Sequence, residues 1–358
     1  MLLYIHYPFC KERCAYCDFF SSRICDEKTQ RDYVKALETE FDSHSLNEKI
    51  ETIYFGGGTP SALYNGAIRD TASFIFKKVD RNIGEFTVEC NPESINKEKL
   101  TEYKNVGANR LSIGVQSLND SILKIIGRLH DSASAINKIK LALEYFDNVS
   151  VDMMTGLPNQ TIKDLEYTID IISKLNISHI SCYELKVENG TKLERMIKQG
   201  EIKLPNDDES ADLFDFAIER LKQNGFERYE ISNFCRDGKK SKHNMGYWQR
   251  KNYIGLGAGA HSLNDNIRYM NKPDINAYLS NPLSQKQILE KLGEKDKIYE
   301  EIILGLRLAD GLDIKMLDYF DIPAHVMPFF SIGKSNVFLN DRGMRIMNTI
   351  ISELVFKI

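Results

Sequence analysis

Cys10-x3-Cys14-x2-Cys17 places three thiols within eight residues. Three soft thiolates on one tight loop suit an iron–sulfur cube, in which they hold three irons and leave the fourth open to a chelating small molecule. Zinc is the competing metal, but it takes four ligands. Cys25 or His6 could supply the fourth, and neither continues a zinc-knuckle spacing. Phe9, Tyr16, Phe19 and Phe20 flank the loop and are expected to keep water from it. A second segment, Tyr54-Phe55-Gly56-Gly57-Gly58-Thr59-Pro60, has three glycines that let a backbone approach a ligand closely, although a plain glycine turn explains it alone.

Both segments need a scaffold. Short apolar runs at Leu2–His6, Thr52–Phe55, Phe86–Cys90, Arg110–Val115, Val149–Met153 and His179–Glu184 predict parallel strands buried on both faces. Amphipathic stretches at Thr29–Phe41, Ala67–Lys78, Lys97–Asn105, Ser134–Phe146 and Ile162–Leu175 predict the crossover helices. The expected fold is therefore α/β, an incomplete parallel (β/α)6 barrel, because six strands are too few for the eight-stranded one. The cysteine loop follows the first strand and the glycine segment follows the second.

Beyond Glu184 the pattern changes. A helix is expected over Pro205–Asn224. Arg236–Lys242 and Gly255–Gly259 read as irregular, and Lys286–Leu308 as helical. Val337–Leu339 and an Asp341-Arg342-Gly343 turn precede a last helix, Met344–Phe356, giving a helical, winged-helix-like end. The expected units are residues 1–200 for the core, 201–283 for an accessory segment and 284–358 for the C-terminal helical domain.

The chain has 358 residues, 42% of them hydrophobic and 27% charged, with a formal charge of −4. That composition excludes disorder as the main state and gives no basic bias toward nucleic acid. Seven cysteines, four of them scattered, do not make a disulfide scaffold. Cys25, Cys90, Cys182 and Cys235 read as small buried residues. No apolar run reaches a membrane span, and Lys11, Glu12 and Arg13 interrupt any signal-peptide pattern. A cytoplasmic chain is expected.

Taken together, the cysteine loop and the glycine segment resemble the radical S-adenosylmethionine (SAM) superfamily. Further segments narrow the resemblance to its HemN/HemW group, the anaerobic coproporphyrinogen III oxidase and its relatives. They are Glu89-Cys90-Asn91-Pro92, Arg110–Ser117, Gly127–His130, Val151–Pro158 and Glu301–Arg307. The resemblance implies a [4Fe–4S] cluster on Cys10, Cys14 and Cys17. It also implies SAM contacts at Tyr4, Gly57, Gly58, Thr59, Glu89, Gln116, Arg128 and Asp152. Most of these lie at or just after the C-terminal ends of predicted strands, where α/β ligand sites gather. Arg128 can pair with a carboxylate, and Asp152 can accept ribose hydroxyls.

Two departures point away from the oxidase and toward the haem-binding HemW branch. The oxidase has a further cysteine where Phe19 stands here, and a longer segment before the cluster loop. His243-Asn244-Met245-Gly246-Tyr247-Trp248 also matches the HNxxYW haem motif of that branch. There His243 would be an axial iron ligand, with Met245 a weaker second candidate. Tyr247 and Trp248 would stack on the macrocycle, and Lys239, Lys240 and Lys242 would meet its propionates. The expected role is a haem chaperone whose partners are haem and acceptor haemoproteins. A homodimer and a peripheral membrane contact are compatible with it. The alternative is an oxygen-independent coproporphyrinogen III dehydrogenase, which cleaves SAM to decarboxylate propionates. A zinc-stabilised binding module explains the cysteines alone.

Overall fold

A computed structural model describes residues 1–357. Six parallel strands run in sequence order across its sheet: β1 (Leu2–Tyr7), β2 (Thr52–Gly57), β3 (Glu85–Cys90), β4 (Arg110–Gln116), β5 (Val149–Thr155) and β6 (His179–Glu184). Their helix-facing residues, such as Ile5, Phe55, Val88, Ile113 and Val151, are fully buried. Truncating one of them, as in Ile113→Ala, costs about 2–5 kcal/mol.

The crossovers are α1 (Glu27–Ser43), α2 (Ala67–Ile75), α3 (Lys97–Asn105), α4 (Ser132–Leu143) and α5 (Ile162–Lys174). Polar residues start them. Asp26 caps α1 and Asn96 caps α3, while Thr161 and Asp164 form a reciprocal capping box at α5. The (β/α)6 unit thus forms as its sequence pattern requires.

The later segment does not stand apart from this unit. From α6 (Asp207–Gln223), Leu213, Ala217 and Leu221 enter the main core. Strand β7 (Asn233–Cys235) pairs antiparallel to β6, after which comes α7 (Lys242–Trp248). On the other edge β8 (Tyr253–Leu256) pairs parallel to β1 and is followed outward by β9 (His261–Asn264), β10 (Ile267–Asn271) and β11 (Lys286–Lys291). With Glu227–Arg228 paired outside β7, a twelve-stranded sheet results. Packing is therefore continuous across residue 200, and the boundary expected near 283 falls before the last strand of the main sheet.

Several expectations are corrected here. Lys286–Leu308 is not one helix but β11, a turn at Gly293 and α8 (Glu294–Gly305). The Lys-Gln-Ile-Leu-Glu-Lys run has helix formers, but pairing with β10 overrides local preference. The first two residues of the Gly255–Gly259 stretch, Gly255 and Leu256, belong to β8. Asp341–Arg345 is a short helix capped by Asn340 rather than a turn. The last helix is Met347–Glu353, with Val355–Phe356 extended.

The C-terminal part has its own core, with Ile302, Leu306, Val337, Leu339, Met347 and Ile350 buried together. A three-stranded antiparallel sheet (Leu312–Asp313, Asn336–Leu339, Phe330–Ile332) sits among its helices, giving the winged-helix-like end. No helix among the described residues is long and apolar enough to cross a membrane.

Candidate functional site

The C-terminal ends of the parallel strands open on a cavity of about 450 Å³. Its wall includes Cys10, Cys14 and Cys17 together with Gly57, Gly58, Thr59, Glu89, Gln116, Arg128 and Asp152. Sequence positions spread over more than half of the parallel unit thus meet at one place. Tyr4 is the exception: it lines an adjoining cavity of about 660 Å³, which shares Asp18, Phe19, Gly57 and Glu89 with the first.

The cysteine loop is anchored by its own backbone. Cys17 N–H donates to the Cys14 carbonyl, and Ala15 N–H donates to the Ile126 carbonyl. The Thr59 hydroxyl donates to Cys10 Sγ at 3.6 Å, and Arg128 Nη1 donates to Cys14 Sγ at 3.4 Å. Burial pushes the Cys10 and Cys17 thiols up, so each resists ionising without a metal to balance it. Among the described residues no three His, Cys, Asp or Glu side chains converge as a single-ion site. A cube gives each thiolate its own iron and does not need that convergence. The donor set therefore fits an iron–sulfur cube better than one zinc ion.

The glycine segment works differently from its first reading. A Cβ on Gly58 would lie 2.7 Å from the Phe9 backbone, and one on Gly56 would lie 2.9 Å from Glu89 Oε2. Gly57 has φ +108°, and a Cβ there would meet the His6 ring at 2.7 Å. These glycines let the second loop pack on the cysteine loop and on Glu89. A Gly57→Val change would therefore strain the fold before it filled any ligand space.

Glu89 is held by the Tyr54 hydroxyl on Oε1 (2.7 Å) and by Gly57 N–H on Oε2 (3.2 Å). Burial, with Asp152 nearby, pushes its carboxyl up to about 7. Asp152 accepts from the Ser112 hydroxyl at 3.1 Å and is also raised, chiefly by burial. Gln116 ends β4 at a register shift with φ 70°, a left-handed conformation that a side chain adopts only when its surroundings impose it. Arg128 Nη2 donates to Asn91 Oδ1 (2.9 Å) and to the Gly114 carbonyl. Its Nε is buried without an acceptor. An unfilled guanidinium N–H, buried carboxylates and a raised Glu89 beside three thiols fit a ligand carrying both a carboxylate and cationic or hydroxyl groups.

His243 occupies neither cavity wall. It is 1% exposed, inside α7 rather than on a loop. Its Nδ1 is hydrogen-bonded to Thr52 Oγ1 (2.7 Å) and its Nε2 to the Tyr247 hydroxyl (3.0 Å). Burial lowers its pKa to about 3. Tyr247 does line the larger cavity, whereas Trp248 lies under Arg307. Glu85 accepts from the Lys242 and His243 backbone N–H groups at the start of α7. Lys240 pairs with Asp310, and Lys242 Nζ donates to the Gly84 carbonyl.

Two smaller expectations also shift. Phe19 is 66% exposed, so the aromatic screen around the cysteines is incomplete on that side. Cys25 is half-buried, whereas Cys90, Cys182 and Cys235 are buried. Sequence reasoning gave no role to Ser112, to Asn91 as the partner of Arg128, or to Arg250 and His261 in the larger cavity. Ser112 and Asn91 lie in the Arg110–Ser117 and Glu89–Pro92 segments, and His261 follows the glycine-rich Gly255–Ala260 stretch, which could close over a ligand; Arg250 carried no signal.

Comparison with known proteins agrees with this geometry. Residues 4–172 match the family model described as the Radical SAM superfamily. The heme chaperone HemW of Lactococcus lactis is 35% identical over 318 residues, covering 88% of this chain and 83% of that one. The heme chaperone HemW of Bacillus subtilis is 35% identical, covering 87% and 84%. A mitochondrial radical S-adenosyl methionine domain-containing protein 1 from Danio rerio is 31% identical, covering 96% and 82%. Among solved structures, coproporphyrinogen III oxidase (HemN) from Escherichia coli superposes with a TM-score of 0.82. It covers 98% of this chain and 89% of its own at 21% identity, a likeness of fold. The (β/α)6 unit, the thiol-lined cavity at its strand ends and this full-length similarity place the chain in the HemW family of the radical SAM superfamily.

Proposed function

We propose that this chain is a haem chaperone of the cytoplasm. It binds a [4Fe–4S] cluster through Cys10, Cys14 and Cys17, binds SAM across the strand ends, and holds haem for delivery to haemoproteins. The observation that carries the reading is the single cavity in which the three thiols stand beside Glu89, Arg128 and Asp152. A bound cluster supplies an iron open to chelation and a one-electron couple. The chain's own part is to orient. Arg128 offers Nε to a carboxylate and holds Nη1 against Cys14, and Asp152 offers oxygens to hydroxyls. Thr59 and Arg128 hydrogen-bond two of the sulfurs, which stabilises their thiolate form.

The relatives' role as heme chaperones favours a chaperone over an oxidase, as does Phe19 in place of a cysteine. Coproporphyrinogen dehydrogenation remains the second reading, because the same SAM cavity would serve it. The experiment is anaerobic reconstitution with iron and sulfide, followed by titration with SAM and then haem. About four irons per chain, with saturable SAM and haem binding, are expected. Stoichiometric zinc without iron, or no haem binding, would overturn the reading.

A further inference from the structure

The larger cavity, of about 660 Å³, lies where the sheet extends past β1 into β8, β9 and β10. Its size falls within the usual range for sites that enclose a whole organic ligand. Tyr4, Phe20, Tyr247, Tyr253, Leu263 and Met270 give it a largely aromatic and apolar wall. Such a wall suits the faces of a planar macrocycle. It shares Gly57 and Glu89 with the thiol-lined cavity, so a ligand there would adjoin bound SAM.

One polar group in this wall lacks a partner. The Arg250 side chain is 5% exposed. Its Nε donates to Glu300 Oε2 at 2.7 Å and its Nη1 to Asn266 Oδ1 at 3.1 Å, but its Nη2 is buried with no acceptor. Glu300 is shared: its Oε1 accepts from Arg268 Nη2 at 2.6 Å. Arg268 lines the same cavity and also pairs with Glu290. The carboxylates thus hold the two guanidiniums in place while leaving one buried N–H group unfilled. A ligand carboxylate is the acceptor it fits.

The cavity also has an available imidazole. His261 begins β9 and sits opposite Met270 of β10 in the strand register. Its side chain is exposed in the cavity wall, and its ring makes no hydrogen bond among the described residues. With neither ring nitrogen engaged, the imidazole can face a ligand in the cavity. His243 is in the opposite condition, with both ring nitrogens engaged by Thr52 and Tyr247.

Resting on the haem-binding reading above, we propose that this cavity holds the macrocycle, that His261 offers the imidazole to its iron, and that Arg250 takes a propionate. His243 is then a positioning residue. It fixes the Tyr247 hydroxyl, whose ring forms part of the wall, and does not touch iron.

The test is an anaerobic haem titration of the full-length, cluster-loaded protein, followed by absorption spectra. Because the His261 side chain is exposed, His261→Ala leaves the packing alone. It should remove the imidazole-ligated spectrum, and added free imidazole should restore it. His243→Ala should retain that spectrum even where binding weakens. Arg250→Gln should weaken haem binding about tenfold or more. The same variant should bind haem dimethyl ester, whose propionates are neutral, as the parent protein does. An imidazole spectrum that survives His261→Ala and disappears in His243→Ala would overturn the assignment. So would equal losses for haem and its ester in Arg250→Gln. If the parent protein binds no haem at all, the haem-binding reading fails first and this inference falls with it.

Discussion

The two adjoining cavities are built in contrasting ways. The thiol-lined cavity is made by the ends of consecutive parallel strands and the loops that follow them, so most of its wall residues lie on those strands or in those loops. The larger cavity is made where a late segment folds back beside β1. Its polar residues Arg250, His261 and Arg268 come from a helix end and an antiparallel extension. The first is fixed by local motifs in a regular scaffold, and the second by pairings between distant segments. On the proposed reading, the first would hold the cluster and SAM, and the second a different ligand.

Four changes separate the two regions. The largest effect is expected at the cysteine loop. Cys14→Ala should abolish the iron-dependent chromophore and the bound iron, while Cys25→Ala, outside the cavity wall, should leave both. Iron analysis after anaerobic purification decides between them, and equal loss in the two variants would break the assignment of Cys10, Cys14 and Cys17.

Next in size is His243→Ala. It empties a buried site and strips Thr52 and Tyr247 of their partner, so chemical denaturation should show a loss of about 3 kcal/mol. The cluster content should be unchanged, since His243 contacts no cysteine. An unchanged stability would mean that the imidazole is not packed as described.

Glu89 sharpens the boundary shared by both cavities. Its carboxyl titrates at about 7 folded, against an ordinary 4.5. The folded chain therefore holds this proton more tightly than the unfolded chain. The resulting stability is complete below the ordinary value and is lost as pH rises through about 7. Denaturation of the metal-free chain at about pH 5 and about pH 8 should differ by at most about 3 kcal/mol from this group. Glu89→Gln should remove that part of the difference.

The smallest effect is expected for Asp152→Asn, which keeps an acceptor for Ser112 but loses the charge offered to ligand hydroxyls. SAM affinity measured by calorimetry should fall by about 1–2 kcal/mol, with haem binding unaffected. An equal loss for both ligands would merge the two cavities into one functional site.

The contrast also explains what could be read from sequence. The six strands and five crossovers were legible because burial on both faces gives compact apolar runs, as in Val149–Thr155. The thiol-lined cavity was legible because its residues sit at the ends of those runs or in the motif-bearing loops that follow them. Lys286–Lys291 was misread because every side chain in it is exposed and only pairing with β10 makes it a strand. His243 was assigned to a ligand on the strength of its motif. Its burial depends on Thr52, 191 positions away, which no local pattern reports. Arg250 and His261 likewise acquire meaning only when α7, β9 and α8 come together.

Haem transfer tests the central claim most directly. Protein loaded anaerobically with haem is mixed with an apo-haemoprotein, and the absorption of the acceptor is followed. The account predicts that the acceptor gains its haem spectrum as the donor loses its own, and that coproporphyrinogen III supplied with SAM and a reductant gains no vinyl groups. Haem that stays on the donor, with repeated turnover of coproporphyrinogen III, would contradict it.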